Sequence, residues 1–266
     1  MNPREYQIMY HIEDTYWWYR GMRQIARTLI PELFERKTPG RILDAGCGTG
    51  SRLAHLMEAG AWRPDPHLPP SAPGLQLQAV GLDLSFEALR FCKERKLPHL
   101  VQASVENLPF QDETFDVVTS YDMLVCVPDD EKTLREYYRV CRSGGKIFLT
   151  VAAFRWLKGE HDTAGHVRRR YTRGDLSQKV EKAGFIVEKA TYANTLLVLP
   201  IFLVRRLRSL LHPVETAQEA LSDFHLTPAY FNTFLTCLLY LEAYLLKWVR
   251  FPVGVTLILK GRKKPL

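Results

Sequence analysis

Cysteine is scarce and scattered in this 266-residue chain: five residues, Cys47, Cys92, Cys126, Cys141 and Cys237, with no C-x-x-C pair. An odd number at irregular spacing argues against a disulfide framework or a structural zinc site, and fits a reducing cytosol. The N-terminal stretch "MNPREYQIMYHIEDTYWWYR" has no long apolar run of the signal-peptide kind, so a cytoplasmic protein is expected. No run of about twenty uncharged apolar residues reads as a membrane span. Internal repeats and low-complexity tracts are missing. So are the strict dinucleotide pattern G-x-G-x-x-G, the phosphate-loop ending G-K-S/T and the zinc pattern His-Glu-x-x-His, which removes the usual signals of three ligand classes.

What is present is ordinary globular material, 46% hydrophobic and 24% charged, enough to enclose a sizeable core. Lys and Arg number 36 against 29 Asp and Glu, a net charge of +7. That balance favours anionic partners such as phosphates, nucleic acid or an acidic membrane surface, without choosing among them.

Residues 3–36 read as helical with a break near Pro31. "GRILDAGCGTG" (40–50) is a short apolar strand running into a glycine-rich turn, and 51–60 reads as a helix. The segment 61–74 carries five prolines and reads as a surface insertion. Strands are then expected in "LQLQAVGLDLS", at 100–104, 115–122 and 146–154, with helices at 85–96 and 129–145. The alternation argues for a parallel sheet covered on both faces. "GFIVEKATYA" (184–193) and "VGVTLILKG" (253–261) look like two more strands, separated by about sixty strongly apolar, helical-looking residues.

The loop "LDAGCGTG" puts Gly46, Gly48 and Gly50 at alternate positions directly after a strand, where glycine permits a tight turn and close approach of a ligand. Asp44 precedes the loop; it repels a phosphate and suits a cation. Asp83 ends the next strand, where a carboxylate can accept from both hydroxyls of a ribose. A ligand with a ribose, a positive amino group and no phosphate fits all three features, and S-adenosylmethionine is such a molecule.

This stretch resembles the first motif of class I S-adenosylmethionine-dependent methyltransferases, and the resemblance continues through "GLDLS", "ASVENLPF", "FDVVTSYDMLVCVPDD" and "RVCRSGGKIFLTV". It implies an α/β, Rossmann-like sheet of seven strands whose sixth and seventh form a terminal hairpin, with an N-terminal helical lid at 1–37, a core at 38–194 and 251–266, and an apolar, basic helical insert at 195–250. It also implies a cofactor site in which Asp44 faces the methionine amino group, Gly46, Cys47, Gly48 and Gly50 supply backbone, Asp83 takes the ribose, Leu84 and Val105 sandwich the adenine, and Ser104 and Ser120 complete the wall. Two departures stand out. Ser104 occupies the place where relatives usually carry Asp, and Val125 and Cys126 replace a Glu-His pair. A bacterial subset of the family is similar along the whole chain through "WWYRG" (17–21), the His-Asp…Gly-His-x-Arg-Arg-Tyr stretch and "FPVGVTLIL" (251–259); its fold and cofactor carry over, its substrates do not.

"GEHDTAGHVRRRYTR" (159–173) concentrates acid, base and cation. His161 and His166 lie five apart, a spacing that does not align two metal ligands on one helical face, so no metal is expected. Four arginines could track phosphates, but only Tyr171 is at hand for stacking on a base, and "SYDM" differs from the Asn/Asp-Pro-Pro-Tyr motif of base-amino methyltransferases. The stretch follows the fifth strand on the carboxyl edge of the sheet, which makes it a candidate wall of the acceptor pocket. In that arrangement His161 or His166 takes the acceptor's proton, Asp162 orients the imidazole, and Arg169 and Tyr171 contact an anionic acceptor; a solvated surface loop is the plainer alternative. Tyr19 or Arg20 would meet the methionine carboxylate from the aromatic lid. The expectation is O-methylation of a small-molecule or lipid-linked acceptor, against the alternatives of an RNA methyltransferase or a binding protein without chemistry. The insert fits core packing, an apolar wall or cover of the acceptor pocket, a homodimer seam, or peripheral contact with the inner face of a membrane.

Overall fold

The computed structural model describes residues 3–34, 40–58, 78–159, 162–163, 165–211 and 227–265. The proline-rich stretch 61–74 and His161 lie outside them. Seven strands form one sheet in the order β3-β2-β1-β4-β5-β7-β6: β1 (Arg41–Ala45), β2 (Gln78–Asp83), β3 (Leu100–Gln102), β4 (Phe115–Tyr121), β5 (Cys141–Ala152), β6 (Phe185–Ala193) and β7 (Thr256–Lys263). The pairs among β1 to β5 are parallel, and β7 enters antiparallel between β5 and β6. This is the seven-stranded, Rossmann-like α/β sheet expected from the sequence, with its terminal antiparallel pair.

Alternation along the strands divides the core, because successive side chains leave opposite faces. Leu43, Val118, Ile147 and Leu149 bury one face against α5 (Asp130–Val140) and α6 (Arg173–Lys182), through Leu134, Tyr137 and Leu176. Ile42, Phe148 and Ile258 bury the other against α2 (Trp17–Leu29) and α8 (Ala229–Leu245), through Met22, Ile25 and Ala243. Their helical spacing in α2, Met22, Ile25, Ala26 and Leu29, is one stripe of an amphipathic helix. α2 and α8 meet where Gly21 lies against Leu239: a Cβ on Gly21 would stand 2.6 Å from that of Leu239.

The remaining helices are α1 (Pro3–Ile12), α3 (Ser51–Leu56), α4 (Phe86–Glu94) and α7 (Val198–Leu211). Their starts are written locally. Ser85 accepts from the Ala88 amide at the head of α4, Asp129 from Lys132 at α5, and Thr172 and Asp175 form a reciprocal capping box at α6. One expected boundary moves. The helix read over 129–145 ends at Val140, and Cys141 already pairs with Phe115 in the sheet. Gly144 then takes φ 75°, outside the helical region, and Gly145 is wedged against the Arg142 and Asp116 carbonyls.

The strand order reverses between β1 and β4. In open α/β sheets, such a switch point opens a crevice at the carboxyl ends of the strands. Asp44, Asp83, Asp122 and Ala152 all lie at that edge.

Candidate functional site: a glycine cradle at the carboxyl edge

After β1 the chain turns so tightly that the amides of Gly46 and Cys47 both donate to the Leu82 carbonyl, at 2.7 and 3.0 Å. Gly46, Gly48 and Gly50 sit at φ 82°, 56° and 83°, a region that costs other residues steric energy. Asp83 holds the turn from the neighbouring strand: its carboxylate accepts from the amides of Gly48 and Ser85, both at 2.9 Å. Each carboxylate oxygen keeps a lone pair for a further donor.

Asp44 is 2% exposed and accepts from the Thr119 hydroxyl at 3.1 Å. Burial pushes its carboxyl up to about 6, against the opposing pull of Arg52. Arg52 leaves the first turn of α3 and stacks over the Tyr121 ring at 4.0 Å. Burial likewise raises Asp83 and lifts the Tyr6 phenol beside it to about 12. Tyr19 is buried, and its phenol lies well above the ordinary value, first through burial and then through the field of Glu13. Arg20 is half-buried on the same helix.

The expected adenine walls differ from one another: Leu84 is 65% exposed, whereas Val105 is buried. Ser104 is half-buried, and its hydroxyl accepts from the Glu106 amide. One expected wall residue, Ser120, faces elsewhere. The Ser120 hydroxyl is 3.1 Å from the Tyr137 hydroxyl inside the α5 face of the sheet. The Cys47 thiol points beneath the loop, 3.9 Å from that of Cys92. Cys47 therefore contributes backbone to the cradle.

The polar stretch after β5 separates into parts with different roles. Asp162 is 2% exposed, and its two oxygens accept from Nη2 and Nε of Arg170 at 2.7 and 2.8 Å, with the Gly159 amide adding a third bond. Arg170 also donates to the Ala153 carbonyl. Asp162 thus closes the loop onto Arg170; the orienting role expected of it towards His161 concerns a residue outside the described ones. Tyr171 and Arg169 converge with Lys179 on Asp130, at 2.6, 2.8 and 2.9 Å. Burial works to raise Asp130, but these hydrogen bonds outweigh it and hold the carboxyl below its ordinary value. Both side chains anchor the loop to α5; the acceptor contacts expected of Arg169 and Tyr171 would compete with that hub. His166 is different: it is exposed, at φ 56°, on a turn whose Arg168 amide bonds the Val125 carbonyl just past β4. Among the described residues no three His, Cys, Asp or Glu side chains cluster as metal ligands.

Sequence reasoning placed a helical lid at 1–37, drew its cofactor contacts from Tyr19 and Arg20, and gave α1 no role of its own. Met9 reaches 3.0 Å from the position a Gly48 Cβ would take, and Tyr6 packs on Ala88 and Phe91 of α4. The turn after α1 is bolted down: buried Glu13 accepts from the Thr49 hydroxyl and from Arg95, which also donates to Asp14 and to the Thr49 carbonyl. Only the adjacent acids in "IEDT" hinted at this, and their partner lies about eighty residues away. Arg52 had a better signal, standing two residues past the last loop glycine.

Residues 43–149 match the family model of the methyltransferase domain. This chain carries a methyltransferase domain. Its β1-to-β5 half, with the glycine cradle, is the matched part. The chain is 31% identical over 171 residues to phthiotriol/phenolphthiotriol dimycocerosates methyltransferase 1 of Mycobacterium ulcerans, covering 61% of this chain and 57% of that protein. It is 33% identical over 132 residues to malonyl-(acyl-carrier protein) O-methyltransferase of Pseudescherichia vulneris, covering 49% and 46%. The chain thus spans about half the length of these curated relatives. An S-adenosylmethionine-dependent methyltransferase structure from Thermotoga maritima superposes over 98% of this chain and 96% of its own, with a TM-score of 0.56 at 16% identity, a likeness of fold.

Proposed function

We propose that the protein transfers the methyl group of S-adenosylmethionine to an oxygen of a small-molecule or lipid-linked acceptor. The observation that carries this reading is the pairing of two carboxylates, Asp44 and Asp83, on either side of a glycine turn at the switch point. That pair of acceptors fits a cation and a diol and disfavours a phosphate. The cofactor supplies a methyl group on a positively charged sulfur. In this reading Asp44 accepts from the cofactor's ammonium group and Asp83 from its ribose hydroxyls. Gly46, Gly48 and Gly50 let the backbone come close. Leu84 and Val105 flank the adenine with Ser104 at its edge, and Tyr19 and Arg20 approach the methionine carboxylate.

Methyl transfer is accelerated by holding acceptor and methyl in line, and an oxygen acceptor must also lose a proton. His166, exposed on the turn beside the end of β4, is the imidazole we assign to that role. The named O-methyltransferase among the relatives supports an oxygen acceptor, and the mycobacterial relative's name supports a lipid-linked one.

The test uses cofactor with a labelled methyl group, the purified protein and fractionated cell extract. Equilibrium dialysis should show cofactor binding that Asp83→Ala abolishes. Label should enter the lipid or small-molecule fraction. Label confined to RNA would overturn the acceptor class, and no cofactor binding would overturn the reading itself.

A further inference from the structure

Sixteen large hydrophobic side chains are exposed among the described residues, and thirteen of them fall between Leu196 and Val249. They belong to α7, Leu196 just before it, α8 and the short segment that follows α8. The apolar surface is therefore gathered on one part of the molecule, where isolated exposed residues would need no explanation but a group does.

The charges of this region are equally one-sided. From Val198 to Leu211 and from Ala229 to Arg250 the sequence contains a single acid, Glu242, in a chain that has 29 acids. That acid is 1% exposed and accepts from the Thr195 amide, so it faces inward. Among the described residues the exposed charges here are Arg206 on α7 and Lys247 and Arg250 after α8, interleaved with exposed Tyr244 and Trp248. The Lys247 ammonium lies 5.5 Å from the Tyr244 ring, and Trp248 meets the same ring edge-on at 4.9 Å. Aromatic rings with an apolar body and a polar tip, set among cations and without exposed acids, match the boundary between lipid headgroups and acyl chains.

A second copy of the chain is a poorer occupant. A symmetric dimer through this face would gather the cations of both copies into one interface, with no acid on the face to neutralise them. Among the described residues no helix is long and apolar enough to cross a membrane, so the face would lie on the surface.

The face also borders the cradle's edge of the sheet. α7 starts just beyond the carboxyl end of β6, and its Phe202 packs edge-on against Trp156 after β5 at 5.4 Å. At the head of α8, Asn232 accepts from the Trp17 amide at 2.8 Å and donates to the Thr15 carbonyl at 3.0 Å. We infer that the exposed face of α7, α8 and the Lys247–Arg250 segment docks the protein on an anionic lipid surface, with the carboxyl edge of the sheet held beside the bilayer.

The experiment is co-flotation of the full chain with two sets of vesicles, phosphatidylcholine alone and phosphatidylcholine with about a third phosphatidylglycerol. It needs neither cofactor nor acceptor, so its result is separate from that of the methyl-transfer reading. The full chain should float with the anionic vesicles at low salt, and screening at high salt should weaken the interaction. Lys247→Glu/Arg250→Glu should cut partitioning by about tenfold or more by reversing two charges that an anionic surface attracts, and Phe234→Ser/Trp248→Ser by a similar factor of about tenfold by removing apolar side chains that would enter the interface. Arg135→Glu, on the exposed side of α5, should change it little. All the changed side chains are exposed, so the variants should melt with the parent. Flotation with neither vesicle set, or flotation that the paired variants leave intact, overturns the inference. So does concentration-dependent self-association that Phe234→Ser/Trp248→Ser abolishes while no variant affects vesicle binding.

Discussion

Replacing Asp44 by Asn tests the cradle by asking two measurements to move in opposite directions. The Asp44 carboxyl titrates at about 6 in the folded chain, against an ordinary 3.8. At pH 7 it is ionised in both folded and unfolded chains, and the difference in affinity for the proton costs the fold about 3 kcal/mol, at about 1.36 kcal/mol per pH unit. The sign follows from a raised carboxyl. The penalty is absent below 3.8, grows as pH rises towards 6, and is complete above it. Asparagine removes the charge, and its amide oxygen can still accept from Thr119. Losing the attraction to Arg52 offsets part of the gain. The ligand-free variant should therefore melt several degrees higher at pH 7, with the gap closing near pH 4. Cofactor affinity should move the other way, falling about 10- to 100-fold, because a charge-assisted bond to the ammonium group contributes about 1.5–3 kcal/mol. In the parent protein, affinity should rise between pH 5 and 7 as Asp44 ionises. Differential scanning calorimetry and titration calorimetry read the two quantities. A ligand-free variant that melts lower, or one that binds the cofactor as tightly as the parent, would refute the reasoning.

His166→Asn keeps a residue that tolerates the left-handed backbone and should lower kcat by about 10²–10⁴ while leaving cofactor affinity unchanged in dialysis; unchanged kcat removes His166 as the base. Asp162→Asn leaves Arg170 buried and uncompensated and should cost about 3–5 kcal/mol in urea unfolding. Gly21→Ala drives a methyl group into Leu239 and should cost about 1–3 kcal/mol, and adding Leu239→Ala should recover part of it in a double-mutant cycle.

The sheet was legible because its signals are local. The strands carry apolar runs bounded by glycine and polar turns, and Ser85 and Thr172 mark helix starts with their own hydroxyls. The glycine cradle was legible for the same reason: Gly46, Gly48, Gly50 and Asp44 sit within seven residues. The polar stretch 159–173 was harder to read because its partners are remote. Asp162 has a histidine on its N-terminal side, yet it bonds an arginine eight residues on, and Tyr171 reaches back forty-one residues to Asp130. Composition showed that acid, base and cation were concentrated there, but not which of them neutralise one another. Ser120 illustrates a parity effect. It sits at the correct end of β4, but a strand alternates its side chains, and this one falls on the Tyr137 face.

Arg95 joins the Thr49 carbonyl inside the glycine turn to Glu13 and Asp14 beyond α1. The turn that closes the cradle on the α1 side is therefore held by two guanidinium groups, Arg95 and Arg23, the latter donating to the Glu13 and Asp14 carbonyls. Moving α1 away uncovers the Met9 side of the turn and takes from Arg95 the two carboxylates it neutralises. Ligand exchange by that route would be a gated step whose rate depends on ionic strength, and turnover would inherit that dependence whenever the chemistry is faster than the gate.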